Sequence, residues 1–518
     1  MKSWTLSIAL SSLWIAALSR IALRISLVIG LAVAAGAFPV YGQELYVPNF
    51  SDHDVSVLDA ETLSTIVRIP VSSPPRNFPE AVAFSPDGRF AFVTIWGNEV
   101  VVIDTLTRTV TNQIPVQPPM REPQIFTRPG GDRMYISDCT SFIKVLDVAT
   151  QQQLDVNPAT PEIDSIVVPD SLASWAMGFT PDGLSAYASK CSFGPPGIFR
   201  IDLTANVVDD FIATPTMSVN GVEVAPNGEF LIGTGENFVV VVDLVPEPDI
   251  VVATLNNVNT PGAQFLSTQG VEFSEDSSRA YVVDFSTNKL HTVDVTTPSN
   301  PQLLSSVQVV TTGNLWELEV VVNRAYLVAF NFFSNSQVIA FDISTDTPVQ
   351  LGTTDVGVAA FEIGLQPQAP NPIDLLTALI GELPGIVADL STDRKLADKL
   401  EDTIGKLQDA LGELTESPPD NKKALRKIEG AVKKLKEAIK KGLDPAEGTE
   451  FMDQLAEIAR QIAVEALNEA IAQGGRPKKI NDAQKALAKG DALRATGKFN
   501  KAVAKYREAL KEAERSLT

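Results

Sequence analysis

Six side chains stand at one recurring place along this 518-residue chain, and their types suit holding a ligand better than breaking a bond. Glu80, Glu122, Trp175, Asn220, Gln269 and Trp316 each precede by four residues an apolar position, in turn Phe84, Phe126, Phe179, Val224, Phe273 and Val320. Carboxylates, amides and indoles gathered in one place could stack on a sugar ring and hydrogen-bond its hydroxyls. They could equally hold a cationic group by charge and by the negative faces of the rings. The same positions also suit plain packing between neighbouring repeats, and the sequence leaves both readings open.

Other chemistry is thin. His53 and His291, the only histidines, each lie in or beside a stretch rich in Asp and Asn, and both read as solvated turn residues rather than general bases. No nucleophile elbow, Walker motif or dinucleotide fingerprint occurs, and Gly233-Thr234-Gly235 has no helix after it to cradle a phosphate. The only cysteines, Cys139 and Cys191, lack a neighbouring histidine and cannot complete a zinc shell. Oxygen-rich stretches at 49–54 and 284–288 lack the spacing of a calcium loop. No cofactor and no metal is expected.

The elements that must position the six candidates repeat. Residues 80–116 read as four short strands, 80–85, 90–94, 99–104 and 110–116, rich in β-branched residues and separated by Pro86-Asp87-Gly88, Gly97-Asn98 and 105–107. The aspartates that close each third strand, Asp59, Asp104, Asp147, Asp202, Asp243, Asp294 and Asp342, count seven such units. Four strands per unit at a period of about 40–50 residues predict an all-β seven-bladed β-propeller. The first unit lacks an innermost strand and an unassigned one follows the seventh, at 358–365, so the late strand is expected to complete blade one and close the ring. In that fold the six candidates fall at the mouth of the central channel. Cys139 and Cys191 fall in equivalent turns of blades three and four, each four residues after a repeat tyrosine, which makes a disulfide between them geometrically reasonable.

The repeat residues themselves, Leu45-Tyr46-Val47-Pro48-Asn49, Val55-Ser56-Val57-Leu58-Asp59 and Ile69-Pro70-Val71, resemble the YVTN-family β-propeller repeat, with echoes at Tyr135-Ile136-Ser137 and Tyr281-Val282-Val283. The resemblance covers about 320 residues, 43–365. It implies an exported or cell-surface protein with a binding or structural role. It carries no catalytic residue, because the motif is the packing and turn code of a blade. Propellers of the wider superfamily include lactonases, which leaves a lactonase-like hydrolase and a structural cell-envelope protein as alternatives. A lactonase would be expected to place a histidine or arginine beside its channel acids, and histidines and arginines are scarce here.

Charge narrows the partners. The whole chain has 63 acidic and 42 basic residues, and residues 43–370 hold 38 of the acids and 13 of the bases. Such a surface repels nucleic acid and anionic lipid, leaving protein, glycan or cationic partners. Lys2, Arg20 and Arg24 precede an apolar run at 25–37 and then small residues, so 1–42 reads as an export signal. That run is too short for a membrane span. The propeller is therefore expected outside the cytoplasm, whether secreted, periplasmic or on the cell surface, with no stable membrane span once the signal is cleaved. A proline-rich linker at 366–372 leads to an α-helical domain at 373–518, where the apolar period changes to about 3.6. Its last part, 483–517, resembles one tetratricopeptide-like helix pair through Gly490, Leu493, Gly497, Phe499, Ala502, Tyr506 and Ala509, read as the capping hairpin of a helical bundle.

Overall fold

The computed structural model describes residues 43–517 except 73–77, 106, 139, 158–163, 169–175, 190–195, 215–217, 246–247, 261, 263, 368–371 and 390–393. The proposed signal, Cys139, Cys191 and Trp175 lie outside the described residues, and with the cysteines goes the disulfide.

Among the described residues the β region forms seven antiparallel sheets, each a four-stranded blade, with one extra short strand, Ile166–Val167, in blade three. Blade two follows the pattern read from the sequence, with strands Pro79–Phe84, Phe90–Ile95, Gly97–Asp104 and Thr109–Met120. Its two middle strands are apolar and buried along Ala91–Ile95 and Val100–Ile103, because each face meets a neighbouring blade. The outer strand is mostly exposed and buries Ile114, Val116 and Met120. Between the first two strands, Gly88 takes φ +63°, and the linker carbonyl of Pro367 sits where a Cβ would be.

The ring closes as the missing strand demanded. Glu44–Asn49, Asp54–Asp59 and Thr65–Pro70 supply three strands of blade one, and Gly364–Leu365 supplies the innermost, pairing Leu45 with Leu365 and Tyr46 with Gly364. The closing strand is shorter than expected. Val358 ends the outer strand of blade seven, Val349–Val358, and only two residues pair with blade one.

Among the described residues six helices follow, the first starting on the last residue of the linker: α1 (Pro372–Asp389), α2 (Arg394–Leu414), α3 (Asn421–Ile439), α4 (Pro445–Ala472), α5 (Pro477–Arg494) and α6 (Phe499–Leu517). Their apolar stripes merge into one core that includes Leu400, Leu407, Ile428, Leu435, Leu455 and Leu510. Asp420 caps α3 by accepting from the Lys423 amide. In the last hairpin Gly490 lets the ring of Tyr506 close against α5. Gln43–Thr518 forms one compact unit, so the helices pack on the propeller rather than trailing from it.

Candidate functional site

The channel is built from the inner strands, whose register follows from the second strand of each blade. Those strands present Tyr46, Phe92, Tyr135, Tyr187, Ile232, Tyr281 and Tyr326 at one level, and opposite them on the inner strands lie Gly364, Ala83, Phe126, Gly178, Glu223, Glu272 and Glu319. One tier of the channel thus carries glutamates on three consecutive blades and small or apolar residues on the other four. Two residues earlier in blade seven comes Glu317, about 6.6 Å along the strand at ~3.3 Å per residue. Its carboxylate occupies the space over Gly270 of blade six. Glu362, from the closing segment, and Gln124 of blade three line the same cavity, which measures about 150 Å³.

No lysine, arginine or histidine is among the described residues lining this cavity. The carboxylates answer accordingly. Burial first, then mutual repulsion, pushes Glu319 up to about 8 and holds Glu272 and Glu362 well above the usual carboxylate range. Burial raises Glu317 to about 7 and Glu223 to about 8. These acids therefore hold their protons to higher pH than an isolated surface glutamate does.

At the end where the inner strands begin, aromatic rings form an arc. Phe285 meets Trp316 at 5.7 Å, Trp316 meets Phe361 at 5.7 Å, Phe361 meets Phe50 at 5.7 Å, and Phe50 meets Trp96 at 5.3 Å and stacks on Phe78 at 4.5 Å. Phe330 and Phe332 pack against Phe361 from blade seven. Trp96 donates its indole hydrogen to Glu80, whose carboxyl is raised well above its ordinary range by burial. Beyond the arc Phe333 is 98 % exposed.

Of the six candidates, the structure brings Glu80 and Trp316 to this mouth, and Glu122 adds its charge beside Glu80. The turns Ser85–Gly88 and Arg128–Gly131 are equivalent, each closed by a glycine amide bonded to the first carbonyl. Counting back from them puts Pro123, not Glu122, level with Glu80. Asn220 and Gln269 line the channel, but their side-chain nitrogens bond Thr268 O at 3.0 Å and Ser267 Oγ at 3.1 Å, so both serve the joints between and within blades.

Sequence reading passed over Glu223, Glu272, Glu317, Glu319 and Glu362. The signal was present: Val222-Glu223-Val224, Val271-Glu272-Phe273 and Leu318-Glu319-Val320 set a charge between apolar neighbours at one register in three successive repeats. The reading of His291 as a solvated turn residue is corrected, because it is fully buried in Lys289–Asp294. Its Nδ1 lies 2.7 Å from Ser306 Oγ, and burial lowers it to about 4, which suits a neutral packing residue. His53, with φ 60°, does sit in a turn and stacks on Phe78. No group of three or more His, Cys, Asp or Glu among the described residues has metal-holding geometry.

The fold and its repeats define the class: a seven-bladed β-propeller repeat protein. A family model for the LVIVD repeat matches residues 268–309, the span of blade six from its inner strand Thr268–Phe273 through its outer strand Gln302–Gln308. No curated protein matches the chain. Among solved structures it is similar to Kuenenia stuttgartiensis hydrazine synthase at 16% identity and a TM-score of 0.47, over 60% of this chain and 92% of that one. A likeness at that level carries no functional argument.

Proposed function

We propose that the chain is a non-enzymatic binding propeller of the cell exterior, of the YVTN-like kind, that holds a small ligand at the aromatic mouth of its channel. The helical domain, ending in its tetratricopeptide-like hairpin, is the part that docks to other components. The single observation behind this reading is the arc from Phe285 through Trp316, Phe361 and Phe50 to Trp96, whose Trp316 also lines the cavity of carboxylates. Half-buried aromatic rings standing beside polar groups are what small-molecule sites are made of. An extracytoplasmic location rests on the N-terminal sequence and the resemblance of the repeats.

Tryptophan emission tests it, since two of the five tryptophans belong to the arc. A panel of neutral monosaccharides and small ammonium ions should contain members that shift the emission and raise the melting temperature of the full chain, and Trp316→Ala should abolish both effects. A chain indifferent to the whole panel would not be a small-ligand propeller, and a scaffold role would stand in its place.

A further inference from the structure

We infer that the ligand of this mouth is a small organic ammonium ion carrying a hydroxyl or similar acceptor. The inference rests on the binding reading above and narrows it to one chemical class.

Three independent features converge. The first is aromatic: Trp316 and Phe361 are half-buried at the entrance, and an electron-rich ring attracts an alkylammonium through its face without requiring a directional donor. The second is charge. Glu317 and Glu362 lie just inside that entrance, in a cavity lined by no described cationic side chain, and Glu80 stands apart from it beside Trp96. A water-stripped carboxylate near others is stabilised by a counter-cation more strongly than by any neutral guest. A bare metal ion is a poor occupant because no three of these acids have ligating geometry. A diffuse cation that touches rings and carboxylates together suits the spacing. The third is a poorly satisfied donor. Gln124 is 5 % exposed and lines the cavity beside Glu362, and its amide nitrogen meets that carboxyl without completing a hydrogen bond of good geometry. A buried donor so poorly matched gains when a guest oxygen or water reaches it. The cavity, about 150 Å³, has room for about five waters at ~30 Å³ each, and so for a guest of that bulk.

Choline is the probe, and its uncharged isostere 3,3-dimethylbutan-1-ol is the control, since the two share shape and hydroxyl and differ in charge alone. Calorimetry on the full chain is expected to show choline at least tenfold tighter than the alcohol, a difference of ~1.4 kcal/mol. Glu317→Gln should remove most of that preference while leaving the affinity for the alcohol within twofold. Trp316→Phe, which keeps a packed ring, should weaken choline more than the alcohol. Equal affinities for the two probes would overturn the ammonium assignment and leave the mouth as an apolar binding surface. Silence toward choline alongside a response to a neutral monosaccharide would overturn it too, with the broader binding reading intact. Silence toward everything would remove both. Because the control is read on the same folded protein, a variant that fails to fold does not decide the outcome.

Discussion

Arg89, in the first hairpin of blade two, reaches Asp491 on helix α5, Nη2 to Oδ2 at 3.0 Å, and so ties the propeller to the helical domain across 402 residues of sequence. Asp491 is shared: Arg460 Nε and the Tyr506 hydroxyl each donate to its other oxygen at 3.0 Å. Nearby, Gln366 Nε2 bonds the Gly88 carbonyl at 2.8 Å, fixing the linker to the same hairpin. Removing the aspartate takes from Arg89 its ion-pair partner in a poorly solvated joint and leaves Arg460 with Glu457, 3.6 Å away. Asp491→Ala is expected to destabilise by about 3–5 kcal/mol and to open the joint to limited proteolysis, whereas Arg89→Ala should loosen the joint with a smaller loss. A wild-type melting curve and digestion pattern for Asp491→Ala would show that the docking does not depend on this carboxylate.

Closure of the ring gives a second test. Gly364 has room for no side chain, because a Cβ there would lie 2.9 Å from Val82 Cγ1 and 3.0 Å from Phe84 Cε2. Gly364→Val should therefore push the two-residue closing strand off blade one and lower stability by about 1–3 kcal/mol. Hydrogen exchange provides the local readout: the Gln366 amide, bonded to Glu44 O at 2.9 Å, should lose protection first. Unchanged protection there would mean that closure does not rely on Gly364.

Blade three holds a fully buried ion pair, Lys144 Nζ to Asp138 Oδ2 at 2.6 Å, with both side chains at 0% exposure. Burial lowers the lysine below its ordinary range, and Asp138 opposes that shift. Lys144→Met keeps the bulk and leaves the buried carboxylate without its counter-charge, held only by the Thr140 hydroxyl and the Arg121 and Thr140 amides, so a loss of about 3–5 kcal/mol is expected. The double change Lys144→Met with Asp138→Leu should recover much of it. Failure of the double variant to improve on the single one would place the effect in packing rather than charge.

The channel acids impose a pH dependence whose sign is fixed. Glu319, raised from 4.5 to about 8 with burial as the main cause, binds its proton more tightly in the folded chain than in the unfolded one. Its contribution to stability is present in full below pH 4.5 and is lost as pH rises through 8. Glu317, Glu223, Glu272 and Glu362 act in the same direction. Glu319→Gln is expected to match the wild type near pH 5 and to exceed it near pH 8.5, by on the order of 1 kcal/mol. A variant less stable than wild type at the alkaline end would contradict a buried, proton-holding role. His291 supplies the opposite arm: it is lowered to about 4 by burial, and its contribution is present above pH 6.5 and lost as pH falls through 4.

Much of the architecture could be read from the chain because it is written seven times. Asp-Gly turns, β-branched strands and the repeated third-strand aspartate are local signals, and repetition multiplies them until the blade count follows. The closing segment was legible by subtraction, since blade one had three strands and the ring needs four. The mouth was legible only in part. Position in the repeat places Glu80 and Trp316 at the mouth, whereas Glu122 falls one residue off because the turn of blade three begins at Arg128. Asn220 and Gln269 kept the right place with a different occupation, bonding the blades.

What the residues determined alone was periodicity: strands of period two, helices of period 3.6, and a joint of prolines between them, all set by backbone geometry within a few positions. What only the tertiary structure decided was convergence. Glu223, Glu272 and Glu319 are separated by some fifty residues each, and nothing local says that curvature of the ring will bring them to one tier or deny them a cation. The aromatic arc likewise draws Phe285, Trp316, Phe361, Phe50 and Trp96 from four blades and the closing segment. Their adjacency arises from ring closure, a long-range constraint that no window of sequence contains.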